Sequence, residues 1–182
     1  MLDSLTYVTS NPGKAELLRH ALHFPVLHTT LDLLEIQSLD VATIIKQKAR
    51  EAFQHVHSPV LVEDSSLQFV AWGRLPGPFI KWFLAELGPE GLCRLLEGTP
   101  ERSAVASIHF GLYDGQAFHA FAGVREGSIA LTPRGSHGFG WDSIFIPRGF
   151  HKTWAEMTGE EAQATSIRTI AFNKLEAYLK RA

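Results

Sequence analysis

The sequence predicts an α/β fold: an elongated chain with a central mixed β-sheet flanked by helices. Three observations carry that expectation. Short apolar runs alternate with helical stretches over the first third of the chain. Residues 41–56 repeat their apolar side chains with a 3.6-residue period. From 102 to 125 the pattern changes to alternating β-type residues around Asp114-Gly115, a hairpin signal. Elements of both kinds bury their apolar faces by packing helices on a sheet, and the β-rich segment around 102–130 is expected to form part of a second lobe of a single 182-residue domain.

The first unit reads as a strand over 5–9, a turn at Asn11-Pro12-Gly13 and a helix from about 14 to 22. Proline near a helix start costs nothing, because its missing N–H would lack a partner there anyway. The run at 25–29 is expected to pair beside the first strand. Val41, Ile44, Ile45, Ala49, Ala52 and Val56 form the apolar stripe of an amphipathic helix, and Lys48 falls on that stripe. An isolated lysine there ordinarily snorkels from the stripe's edge. The wholly apolar run 59–62 suits a buried strand that ends in Glu63-Asp64-Ser65-Ser66. Helical segments follow at 78–87 and 89–97, then the hairpin and a glycine-rich stretch at 135–140. Thr158-x-x-Glu161 has the form of a capping box, and 166–179 reads as a last helix.

Composition narrows the function. A formal charge of -2 argues against broad, sequence-independent nucleic-acid binding, which needs excess Lys and Arg. Cys93 is the only cysteine, so no intramolecular disulfide forms, and it reads as a small buried hydrophobe. The first residues lack a basic n-region and an apolar h-region, and no apolar run approaches about 18 residues. The expected setting is the cytoplasm, away from membranes.

Three segments carry chemistry. Thr9-Ser10-Asn11-Pro12-Gly13-Lys14 lies between a strand and a helix, where backbone amides and the helix N-terminus favour an anion; an ordinary Asn-Pro-Gly turn would look the same. Glu63 and Asp64 follow a buried strand, and paired carboxylates suit a hard cation such as Mg²⁺; a solvated turn capping a helix is the plain alternative. Gly138-Phe139-Gly140-Trp141-Asp142 offers flat faces on which a nucleobase could stack, with Asp142 as an acceptor; two core aromatics in a tight turn would also fit. Glu35 alone reads as a surface carboxylate.

Taken in order, these segments closely resemble the inosine triphosphate pyrophosphatase family, which hydrolyses aberrant purine nucleoside triphosphates. The likeness rests on TSNPGK at 9–14, EIQ at Glu35, PVLVEDSSL at 59–67, GRLPGPFIKWF at 73–83, GFGWDSIF at 138–145 and TWAEMTGEE followed by Ser166 and Arg168. It implies an active-site cleft between two lobes, a homodimer, and Mg²⁺-dependent attack of water on the α-phosphorus with pyrophosphate leaving. Thr9, Ser10, Asn11, Pro12, Gly13 and Lys14 would cradle the triphosphate, with Lys48 and Lys81 adding charge. Glu35 and Asp64 would hold Mg²⁺, with Asp64 or Glu63 helping to activate the water and Lys14 stabilising the leaving group. Ser65, Ser66 and Leu67 would adjoin the substrate, and Phe139, Gly140, Trp141, Asp142, Ser166 and Arg168 would hold the base. Two positions depart from the family pattern: Ala162 where Lys is common, and Ile167 where Ser-His-Arg has its His. They keep open a triphosphate pyrophosphatase of different or broad base choice, and, from another class, a nucleotide sensor without turnover.

Overall fold

The computed structural model describes residues 2–22 and 24–181. Among them seven strands make one mixed sheet, ordered β2-β1-β3-β5-β6-β7, with β4 paired to β3. The strands are β1 (Leu5–Val8), β2 (Val26–Thr29), β3 (Val60–Phe69), β4 (Pro76–Gly77), β5 (Ser103–Tyr113), β6 (Phe118–Ile129) and β7 (Phe145–Pro147). The helices are α1 (Pro12–Ala21), α2 (Val41–Val56), α3 (Ile80–Arg94), α4 (Gly159–Thr165) and α5 (Ile167–Leu179). No helix among the described residues is long and apolar enough to cross a membrane. The chain divides into two compact units, Met1–Asp64 with Ile108–Gly123 and Ile170–Ala182, and Ser65–Ser107 with Val124–Thr169.

In the first unit β1 runs parallel to both β2 and β3. Such strands are covered on both faces, and all four β1 residues are buried. One face meets α2: Val8, Val60 and Val62 pack with Val41, Ile45, Ala49 and Ala52. That helix is started by Asp40, whose carboxylate accepts from the amides of Ala42 and Thr43. The Thr43 hydroxyl bond, chiefly, holds the Asp40 carboxyl below its ordinary value. On the other face Tyr7 packs against Phe110, and Phe110 against Phe172 of α5, with ring centroids 6.3 and 5.0 Å apart. The β5–β6 turn closes as its sequence predicts: Asp114 Oδ1 accepts from the amides of Gln116 and Ala117, and Gly115 takes a φ of 96°.

In the second unit the expected pair of helical segments is one element bent at Gly88, whose φ of 65° and ψ of 177° interrupt the helix just before Pro89. Cys93 is buried there, and burial pushes its thiol pKa up. Arg102 pins this helix to the sheet. Its guanidinium donates to the carbonyls of Cys93 and Leu96 on one side and of Ile129 and Ala130 on the other, at 2.7–3.2 Å.

Two local expectations are corrected. The strand does not stop at residue 62: β3 continues to Phe69, because β4 pairs antiparallel with Leu67 and Gln68. The capping box lies at Thr153 and Glu156, whose side chains and amides bond reciprocally. Thr158 begins α4 without a side-chain cap bond, and the Glu161 carboxylate pairs with Lys152 at 2.8 Å.

Arg102→Ala leaves four carbonyls without their cationic donor, and is expected to cost at least about 2 kcal/mol in urea denaturation. Arg102→Lys should recover only part of that, because a point charge cannot span four acceptors as the planar fork does.

Candidate active site

Successive side chains on a strand point to opposite faces, so Glu63 and Asp64 serve different sides of the sheet. The register pairs Tyr7 with Leu61, which puts Tyr7, Leu61 and Glu63 on one face, beyond the last residue of β1. That is the carboxyl end of parallel strands, where ligands collect in α/β sheets.

Glu63 is nearly buried, its side chain 7% exposed, and it sits between two donors. Lys14 Nζ pairs with its Oε1 at 2.5 Å, and the Tyr7 hydroxyl donates to its Oε2 at 2.5 Å. A buried carboxylate persists only with such partners. Lys48, on the α2 side, is no snorkelling lysine. Its side chain is 15% exposed, and its Nζ pairs with Glu35 at 2.6 Å while donating to the Glu63 carbonyl at 3.3 Å. Glu35, a surface acid by sequence alone, thus joins the same constellation. Asp64 has the parity of the α2 face. The structure links Lys14, Glu63, Lys48 and Glu35 within one unit, and Asp64 follows Glu63 on β3.

The turn before α1 is closed on itself. Asn11 Oδ1 accepts from the amides of Gly13 and Lys14 at 3.0 and 3.3 Å, and Thr9 Oγ1 accepts from the Asn11 amide. For those amides to face an anion the Asn11 side chain must turn aside. Ser10, Pro12 and Gly13 are exposed.

The second unit holds the other sequence candidates. Ser65 is half-buried, while Ser66 and Leu67 are fully buried; Ser66 Oγ has no hydrogen-bond partner among the described residues. Lys81 is exposed in the first turn of α3, its Nζ 5.4 Å from the Trp82 ring centroid. In the 138–142 turn the two aromatics part company. Trp141 is packed into a cluster with Phe145 and Trp154, whereas Phe139 is 60% exposed and keeps its ring surface available. Asp142 Oδ2 accepts from the Phe139 amide at 2.9 Å, and a Cβ on Gly138, at a φ of +74°, would lie 2.2 Å from that oxygen. Gly140, at a φ of 67°, completes the turn. Burial raises the Asp142 pKa, against the Phe139 amide and the Arg168 charge that lower it. Ser166 Oγ accepts from the Thr169 amide at the start of α5, and Ile167 is buried.

Sequence reasoning missed Tyr7 and Trp154. Tyr7 carries a signal only once the β1–β3 register is known. Trp154 donates to Thr165 Oγ1 at 3.0 Å and tethers the segment ahead of Ser166.

Asp142→Asn keeps an acceptor for the Phe139 amide and removes a half-buried charge. An acid with a raised pKa binds its proton more tightly when folded, so its contribution to stability falls as pH rises from the ordinary 3.8 through the folded value. The Tm of Asp142→Asn relative to the parent is therefore expected to increase over that pH range, while Asp142→Ala, which orphans the amide, should lower Tm at every pH.

The whole arrangement has close relatives. The sequence matches the Ham1 family over residues 5–178. It is 40% identical to "Inosine triphosphate pyrophosphatase" of Schizosaccharomyces pombe (strain 972 / ATCC 24843), over 99% of this chain and 97% of that one. It is 44% identical to "Inosine triphosphate pyrophosphatase 2" of Trypanosoma cruzi (strain CL Brener), over 96% of this chain and 91% of that one. The fold superposes on a HAM1 protein from Coxiella burnetii with a TM-score of 0.88, at 27% identity and full coverage of both chains. The chain belongs to the Ham1 family.

Proposed function

We propose that this protein hydrolyses inosine-type and other aberrant purine nucleoside triphosphates to the monophosphate and pyrophosphate, removing them from the nucleotide pool. The observation that carries the reading is the cluster just beyond the carboxyl end of β1, where Lys14 pairs with Glu63 and Lys48 bridges Glu35 and the Glu63 carbonyl. The names of the relatives in two eukaryotes point the same way.

The donor set fits Mg²⁺. Glu35, Glu63 and Asp64 offer only hard oxygens, and Mg²⁺ is ordinarily held by one or two carboxylates, with substrate phosphates and water completing its shell. Among the described residues there is no group of three or more His, Cys, Asp and Glu that could hold a metal ion. Glu35 and Asp64 would hold the ion, which when bound neutralises phosphate oxygens. Lys14 and Lys48 exchange their carboxylate partners for phosphate oxygens and stabilise charge on the departing pyrophosphate. Asp64, or Glu63 beside it, takes the proton of the attacking water. In the second unit Phe139 supplies a stacking face, and Arg168 supplies a donor suited to a keto oxygen. Likeness to the family extends the proposal to a cytoplasmic homodimer.

A second reading concerns the base. Ile167 is buried and has no hydrogen-bonding group, and Ala162 has none either. Fewer donors to the base weaken discrimination, since selectivity is strongest where a wrong base leaves a buried polar group unpaired. The same reaction would then act on a wider range of bases.

Pyrophosphate release with Mg²⁺ from inosine, xanthosine, adenosine, guanosine, cytidine and uridine triphosphates, with their deoxy forms, tests both readings. Selective cleavage of the inosine and xanthosine compounds is expected; even activity across the panel would favour the second reading. No release from any member would overturn the proposal. Asp64→Asn should reduce turnover of inosine triphosphate at least about 10²-fold, and near-normal turnover would remove Asp64 from the chemistry. Arg168→Ala should lower the inosine-to-adenosine ratio of kcat/KM, and an unchanged ratio would remove Arg168 from base reading.

A further inference from the structure

The Glu63 carboxylate has its two oxygens committed to partners of different kinds. Oε1 meets Lys14, a flexible cation on α1 that is a quarter exposed. Oε2 meets the hydroxyl of Tyr7, which is fully buried. The phenol cannot move far. Its backbone lies in β1, paired to His28 of β2 and Leu61 of β3, and its ring abuts Phe110. The two partners therefore respond differently when a polyphosphate arrives. Lys14 can swing toward a phosphate oxygen, which withdraws the cation paired with Oε1. Tyr7 has no comparable freedom.

We propose that Tyr7 is a positioning residue: its hydroxyl holds Glu63 in a single orientation while Lys14 is transferred from that carboxylate to the substrate. The inference rests on the proposed roles of Lys14 and Glu63 in triphosphate cleavage. Without the phenol, Glu63 would lose a fixed anchor at the moment Lys14 leaves it, and the oxygen facing the substrate would be misplaced for part of the time. The effect belongs to the reacting complex more than to affinity, because the Tyr7 hydroxyl acts through Glu63.

Tyr7→Phe removes one oxygen and keeps the ring. Its kcat for inosine triphosphate is expected to fall about tenfold, the lower end of what an outer-shell partner contributes, with KM changed less than about twofold. In an Glu63→Gln background, already slowed, the same substitution should change kcat less than about twofold, whereas a general structural role would repeat the tenfold loss. Replacing Tyr7 with 4-aminophenylalanine returns a donor and should restore turnover; 4-methylphenylalanine, of the same shape without a donor, should not. That isosteric pair decides the matter even if Tyr7→Phe folds poorly. Wild-type kcat in Tyr7→Phe beside an impaired Glu63→Gln would overturn the role of Tyr7 and leave the proposed function standing. Wild-type kcat in Glu63→Gln would overturn the role of Glu63 and that of Tyr7 with it.

Discussion

Two adjacent carboxylates on one strand cannot point the same way, and the site is organised around that constraint. Glu63 faces the side of the sheet that carries α1 and Tyr7, and Asp64 has the parity of the side that carries α2 and Lys48. Each needs its own supporting element. The helix after β1 brings Lys14 to one face, and an amphipathic helix capped by Asp40 brings Lys48 and its partner Glu35 to the other. Both lysines reach the same short length of β3, just past the end of β1. A one-residue slip of β3 against β1 would exchange the two acids between faces and break the Glu63 contacts to Lys14 and Tyr7.

The lysines and acids also keep one another soluble in the fold. A nearly buried carboxylate such as Glu63 is destabilising unless paired, and the pairs Lys14–Glu63 and Lys48–Glu35 provide that pairing from within the unit. The same pairs are poised for exchange. A triphosphate offers the lysines denser negative charge, and a hard cation offers the carboxylates a partner in return. In the proposed complex, substrate and metal would replace these two internal ion pairs with new ones. In the second unit the exposed Phe139 ring is held out by a turn that Asp142 and Gly138 close, while Trp141 is taken up by the aromatic packing around Phe145 and Trp154.

Much of this was legible in the residues. The 3.6-residue stripe of α2, the Asp114-Gly115 turn, the placement of β2 beside β1 and the break at Gly88-Pro89 are local signals, and the structure has each of them. Lys48 stood out on the apolar stripe, where an isolated lysine ordinarily snorkels, and its pairing with Glu35 emerges only from the structure. What could not be read depends on residues far apart in the chain. The extension of β3 through Ser65 and Ser66 needs β4 alongside it. Arg102 looks like any surface arginine until α3 and the end of β6 present four carbonyls to it. The Tyr7–Glu63 bond spans 56 residues. Glu161, which follows Thr158 at capping-box spacing, is claimed by Lys152, an interaction the local pattern does not announce.

In the proposed reaction, water attacks the α-phosphorus while the lysines of the first unit carry the leaving pyrophosphate. The most direct test is hydrolysis of inosine triphosphate by the purified protein in ¹⁸O-labelled water, with the label located by ³¹P NMR or mass spectrometry. Label in the monophosphate and none in the pyrophosphate is the predicted result. Label in pyrophosphate, or inosine diphosphate with labelled phosphate, would contradict it.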